Sequence, residues 1–291
     1  MNNIKVSFIL INYNGYSDTV ECINSLLAME NYKSDISIVV VDNASVVYKE
    51  ELKNFCQDNN VKHIQMDYNA GFGVANNYAA EYAINNSADY IILLNNDTVV
   101  ATNMLEEMEK CFTEDAVISP VIYYYDYPND IWCAGGEISI LKGTSVHYHI
   151  LTDKKVSFLT GCCISIPAKI YNKYGLFDDK FFMYYEDTDL SVRYKKNNVL
   201  MKIVRNAKIW HKVGKSSDRI YGLKDYYLTR NRLYMIRKHK DFFINITCFL
   251  YFVITRLLLL VLCIRSNKSP IYYWYGIIDF YKKRFGEMRK D

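Results

Sequence analysis

The sequence predicts an α/β domain on a mostly parallel central sheet, followed by a helical, hydrophobic carboxyl-terminal region. Three observations carry that expectation. Aliphatic or β-branched runs at 6–11, 36–41, 61–66 and 90–94 alternate with helix-period segments at 17–30, 47–58 and 72–86, the pattern of right-handed βαβ units covered on both faces. Polar residues collect where those runs stop, which is where ligands lie in open α/β sheets. From 242 to 264 the chain turns almost wholly apolar.

The remaining elements follow in chain order. A helix is expected over 101–112, then strands near 117–122, 131–140 and 145–150. A strand over 156–167 carries Gly161 and leads into a helix over 168–174, an aromatic-rich loop at 177–186, a helix over 187–197 and a strand over 199–204. The first domain should close near residue 217, giving 1–217 as one unit and 218–291 as a helical region that opens with a Tyr-, Arg- and Lys-rich helix over 219–239.

A chain of 291 residues, 51% of them apolar, suits one large domain with an appendage. A net charge of +3 without any base-reading motif argues against a nucleic-acid partner. Eight cysteines without a CxxC pair indicate reduced thiols, with Cys162-Cys163 read as packing. The start runs straight into a strand without the apolar core of a signal peptide. The first domain is therefore expected in the cytoplasm.

The apolar run at 242–264 approaches the roughly 20 residues needed to span a bilayer. Arg256 sits near its middle, where an arginine costs at least about 2.5 kcal/mol at the bilayer centre. An interfacial helix lets that side chain snorkel instead. The expectation is a peripheral or monotopic hairpin, with Tyr272, Tyr273, Trp274 and Tyr275 at headgroup level and Lys282, Lys283 and Arg284 meeting anionic lipid. A helical core element or a homo-oligomer contact is the alternative.

Four polar loops follow the first four strands: Asn12-Tyr13-Asn14-Gly15; Asp42-Asn43-Ala44-Ser45; Asn69-Ala70-Gly71-Phe72-Gly73 with Asn76 and Asn77; and Asn95-Asn96-Asp97. Together they can bind a nucleotide. Tyr13 offers an aromatic face, Asp42 an acceptor for a base imino hydrogen, and Gly71 and Gly73 a close approach of backbone to phosphate. Taken singly, Asp42 or Asn14 is more often a cap or turn residue. Asp97, at the end of a buried strand, suits a divalent cation carrying phosphate oxygens.

A second cluster is Glu186-Asp187-Thr188-Asp189 after the aromatic loop. Such acids serve as helix-dipole partners when isolated, but Asp187 over a pocket can take a proton from a hydroxyl. His211 is a third candidate, able as a neutral imidazole to join Asp97 and a diphosphate around a metal. Lys212 and Lys215 would bind phosphate from the same loop.

On these residues the chain resembles the family 2 inverting glycosyltransferases of GT-A fold, especially their rhamnosyltransferase-like branch, over about 6–238. The resemblance implies Tyr13 and Asp42 at the nucleobase, Asn96 near ribose and phosphates, Asp97 as metal ligand and Asp187 as general base. Glu186 and Asp189 would shape the acceptor side, and His211 would contact metal or diphosphate. It also implies Mg2+ or Mn2+ and a nucleotide-diphosphate sugar donor such as dTDP-rhamnose or a UDP-hexose; the amphipathic carboxyl end, which would keep the domain at the cytoplasmic face of the membrane, adds the expectation of a lipid-linked or polysaccharide acceptor in bacterial surface glycan synthesis. The chain departs from the family in its metal motif: Asn95-Asn96-Asp97 has one carboxylate where many relatives have two or three. Fewer charges hold a hard ion less tightly. A non-catalytic nucleotide-sugar-binding assembly subunit would share the fold, but the presence of both Asp97 and Asp187 argues against it. A sugar-phosphate nucleotidyltransferase would need a Gly-rich phosphate loop near the start, which the sequence lacks.

Overall fold

The computed structural model describes residues 3–213, 222–265 and 269–288. In chain order the elements are β1 Lys5–Asn12, α1 Tyr16–Leu27, β2 Asp35–Asp42, α2 Lys49–Asp58, β3 Lys62–Gln65, α3 Phe72–Asn85, β4 Tyr90–Leu94 and β5 Thr98–Val100. Then come α4 Met104–Glu109, β6 Ala116–Tyr124, β7 Ile131–Cys133, β8 Gly136–Ser139, β9 Thr144–His147, β10 Cys163–Pro167, α5 Ala168–Tyr174, α6 Glu186–Lys196 and β11 Leu200–His211. Three helices follow: α7 Leu223–Lys238, α8 Asn245–Arg265 and α9 Ile271–Tyr281.

The main sheet runs β3-β2-β1-β4-β10-β6-β11-β5, with β7 paired to β6. Its alternating side chains feed two cores. Phe8, Leu10, Ile92 and Leu94 pack with α1 and α4 on one face, while Ile9, Ile91 and Leu93 pack with α3 on the other. On α1 the buried positions Thr19, Cys22, Ile23 and Leu26 recur at helical spacing. On α3 the buried face is Ala75, Ala79, Ala80 and Ala83, small side chains that bring the helix axis close to the sheet.

The expected mostly parallel sheet is in fact mixed. β1 is parallel to β2 and β4, β2 to β3, and β6 to β11, but β10 is antiparallel to both β4 and β6, and β5 and β7 are antiparallel to their neighbours. β10 follows β4 only after β5, α4 and β6 to β9 rather than by a single strand–helix–strand crossover, so its path does not oblige it to run parallel to β4. The strand expected over 131–140 is split at Gly135, whose φ of 76° breaks the ladder. Of the strand expected over 156–167 only Cys163–Pro167 pairs in the main sheet. The strand expected at 199–204 runs on to His211 past a bulge between Val204 and Lys208, and the short β5 that pairs with its end was not anticipated.

Helices α7, α8 and α9 pack around Leu233, Phe252 and Phe280. Arg256 turns inward, donating to the Thr229 hydroxyl at 2.8 Å and lying over the Phe252 and Tyr273 rings; it does not snorkel outward as expected. The opposite side of α8 leaves Ile246, Phe249, Leu250, Ile254, Leu257 and Leu258 more than half exposed. Among the described residues no helix is long and apolar enough to cross a membrane.

Candidate active site

The carboxyl end of β1 is held by neutral amides. Asn12 stands in register with Asp42, and its Nδ2 donates to Asp42 Oδ2 at 3.1 Å and to Ser45 Oγ at 3.0 Å. Its Oδ1 accepts from the Gly15 N–H at 3.1 Å and the Thr19 hydroxyl at 2.9 Å. Asp42, with no exposed surface, accepts further bonds from the Ser45 N–H and Gln65 Nε2. Both its oxygens therefore shape the loop from within. Asn14 adopts φ 55° and accepts from the Val46 N–H. Tyr13 is 48% exposed, and is the side chain of this loop that offers a free face.

The third loop is clamped to the second. Asn43 donates to Asn69 Oδ1 at 2.9 Å and accepts from the Ala70 N–H, while Asn69 Oδ1 also accepts from the Gly71 N–H. The glycines meet protein backbone. The Phe72 N–H donates to Phe182 O at 2.8 Å, and a Cβ on Gly71 would lie 2.5 Å from that oxygen, one on Gly73 3.2 Å from Phe181 O. Gly71 and Gly73 thus let the aromatic loop lie against the start of α3. Asn76 is buried and caps back onto Phe72 O, and Asn77 exchanges bonds with the Phe177 backbone.

Beyond β4, Asn96 Nδ2 donates to the Thr19 hydroxyl at 2.8 Å, joining the fourth loop to the first. Asp97 is buried, and its Oδ1 lies 3.2 Å from His211 Nε2. The Lys212 N–H donates to Asp97 O. His211 Nδ1 is buried with no hydrogen-bond partner. Asp97 and His211 face each other closely enough that the pair would hold a divalent cation brought in by a diphosphate. Among the described residues no group of three or more His, Cys, Asp or Glu side chains could hold a metal without such help. Lys212 is occupied elsewhere: its buried ammonium pairs with Asp18 at 2.5 Å and Glu21 at 2.6 Å. Lys215 lies outside the described residues.

The second carboxylate comes from the other direction. Tyr184 and Tyr185 both take left-handed backbone, φ 66° and 73°, so that α6 begins on Glu186. Asp187 Oδ2 accepts from the Gly161 N–H at 3.1 Å, and its Oδ1 from the Thr188 hydroxyl. Burial raises its pKa against those hydrogen bonds, and burial followed by the Asp187 charge raises that of Glu186 well above the carboxylate range. Glu186 Oε2 is buried without a partner. A buried carboxylate whose basicity is raised is a fit proton acceptor.

Asp189 is not brought to this site. It has no exposed surface and pairs with Arg193 at 2.9 Å, Lys238 at 2.7 Å and His239 at 2.8 Å. Burial alone would raise its pKa, but those three partners, His239 foremost, hold it at about 2.

The loop that carries Asp97 and the Asp187 carboxylate both bond to one short segment. The Asn95 N–H donates to Cys162 O at 2.8 Å, and one residue earlier Gly161 binds Asp187. A Cβ on Gly161 would stand 3.6 Å from Asp187 Cβ and 3.5 Å from the Phe72 ring. Trp132 was not anticipated; its ring contacts His211 at 4.6 Å and His147 at 5.1 Å, both edge-on. Burial, then His149 and His211, push His147 down to about 4. No sequence signal marked Trp132, because β7 is only three residues long. A cavity of about 740 Å³ lies elsewhere, between Ala134, Lys154, Lys195 and Lys202. None of the strand-end polar residues lines it.

The family model described as glycosyl transferase family 2 matches residues 7–175. A dTDP-rhamnosyl transferase of Shigella flexneri is 23% identical over 293 residues, covering 93% of this chain and 92% of the relative. A low-salt glycan biosynthesis hexosyltransferase of Haloferax volcanii is 24% identical over 203 residues, covering 67% of this chain, which spans only 62% of that relative's length. Among solved structures, a mannosyltransferase from Pyrobaculum calidifontis in complex with GDP-Man and Mn2+ superposes with a TM-score of 0.62 at 12% identity, covering 98% of this chain and 89% of that one.

Proposed function

The chain belongs to glycosyl transferase family 2, and from that premise we propose that it is an inverting transferase moving a sugar from a nucleotide diphosphate to a hydroxyl of a lipid-linked or polysaccharide acceptor. One observation carries the reading. The 160–162 segment ties the Asp97 loop and Asp187 together through adjacent backbone groups, so a carboxylate for the diphosphate side and one for the acceptor side flank the same backbone.

Asp187 takes the proton of the acceptor hydroxyl as its oxygen bonds to the anomeric carbon on the face away from the nucleotide. The bond to the diphosphate oxygen breaks, through an oxocarbenium-like transition state, and the configuration inverts. Asp97 and His211 would hold Mg2+ or Mn2+, which when bound neutralises charge growing on the leaving diphosphate. Tyr13 offers a face for the base, with Asn12, Asn14 and Asp42 fixing its loop and Asn96 beside it. The named activity of the Shigella relative supports dTDP-rhamnose as donor, with a UDP-hexose next.

In this reading residues 1–217 form the transfer domain and 218–291 hold it to the cytoplasmic face of the membrane, since the exposed apolar side of α8 suits an interfacial helix. Nucleotide release from a panel of donors, with a membrane-lipid extract as acceptor, tests the function, and NMR of the product reads the anomeric configuration. Inversion is expected; retention overturns the mechanism. Ile246→Glu with Leu257→Glu should release the protein from membranes without unfolding it. Undiminished membrane recovery would count against the anchor.

A further inference from the structure

The turn that aims Asp187 is held from the carboxyl-terminal helices. Two consecutive tyrosines in left-handed backbone, Tyr184 and Tyr185, are unfavourable for bulky side chains and persist only where surroundings impose them. The imposing group is Asn231 on α7. It has no exposed surface, and its Nδ2 donates to Met183 O at 2.8 Å and to Tyr184 O at 2.9 Å. One side-chain amide thus satisfies two successive carbonyls of the bend.

The orientation of that amide is itself fixed. Asn231 Oδ1 accepts from Arg230 Nε at 3.0 Å. Arg230, also without exposed surface, donates from Nη1 to Gly286 O at 2.8 Å and to the Tyr226 hydroxyl at 3.2 Å, which in turn donates to Asp279 on α9 at 2.7 Å. A continuous hydrogen-bonded chain therefore runs from α9 to the 183–185 bend. The bend leads directly into Asp187, and its other side is pinned by the Phe72 N–H on Phe182 O.

We propose that Asn231 is a positioning residue for sugar transfer, holding the 183–185 bend so that Asp187 faces the acceptor and linking the state of α7–α9 to the catalytic base. The inference rests on Asp187 as the base. It makes the helices that meet the lipid part of the catalytic geometry.

The experiment compares Asn231→Asp, Asp187→Asn and the double variant of the full chain, measuring transfer rate and binding of the nucleoside diphosphate. Asn231→Asp keeps the side-chain shape but removes both donors. It should slow kcat at least tenfold with nucleotide affinity and stoichiometry unchanged. In the Asp187→Asn background it should cost less than a further twofold, because groups acting through one another are not additive. A wild-type rate for Asn231→Asp, or losses that multiply in the double variant, overturns the proposal. Full activity of Asp187→Asn alone sinks the base reading instead. Should Asn231→Asp not bind nucleotide, Asn231→Ser, uncharged and too short to reach both carbonyls, is judged by the same rates.

Discussion

The two sides of the site are built by opposite means. At the ends of β1, β2 and β4 the side chains that hold one another are mostly neutral: Asn12, Ser45, Thr19, Asn96, Asn43 and Asn69 gather around the buried Asp42, while the buried Asp97 faces His211. At the start of α6 three acids crowd within four residues, two with raised pKa values and one held at about 2. Neutral networks keep their shape across pH. Buried acids store charge that must be balanced, and so they respond to pH and to partners. In the proposed reading the neutral net is the cradle on the nucleotide side, and the shifted carboxylates make the start of α6 the titrating side.

The largest expected effect lies on the titrating side. Asp187→Asn should lower transfer by about a thousandfold, within the range for loss of a general base, while leaving nucleotide affinity within twofold; loss of both together would erase the contrast between the sides. Next is Asp189→Asn, which leaves Arg193 and Lys238 without their shared buried counter-ion and should cost about 3 kcal/mol in denaturant unfolding. Its depressed pKa stabilises the fold fully above the unfolded value of 3.8, and that contribution is lost as pH falls toward 2. The variant should therefore flatten the acid limb of the stability curve.

Asp97→Asn should reduce transfer about a hundredfold and weaken Mn2+ stimulation, read by metal titration of the rate. On the cradle side, Asn43→Ala removes one clamp to the third loop and should cost about 1–2 kcal/mol of stability, with no change in the pH profile. The smallest effect is a displacement of the pH–rate curve. Because burial raises the Asp187 pKa, the acid limb of kcat should fall above the ordinary aspartate range, and Asn43→Ala should leave that limb in place.

The cradle was largely legible in the sequence because βαβ units put every strand end on one edge, so Asn12, Asp42, Asn69 and Asp97 had to meet. Their mutual bonding was not legible: whether Asp42 faces a ligand or Asn12 depends on register. Asp189 illustrates the same limit, since its neighbours Lys238 and His239 lie about fifty residues on, on a helix whose packing no local pattern encodes. Asn231 was hidden for that reason, as was the inward turn of Arg256. The sheet was read as mostly parallel because periodicity reports burial, not direction, and β10 looks the same either way up.

β10 has a consequence during synthesis. It seals the open edge of β4 and also touches β6, yet it leaves the ribosome roughly seventy residues after β4, about 4–14 s at ordinary elongation rates. For that interval Tyr90–Leu94, a buried aliphatic strand, presents unpaired backbone to solvent, the kind of edge that recruits foreign strands. The nascent chain is most exposed to aggregation and chaperone capture between these two events, and slowing translation across 95–162 would lengthen that hazard.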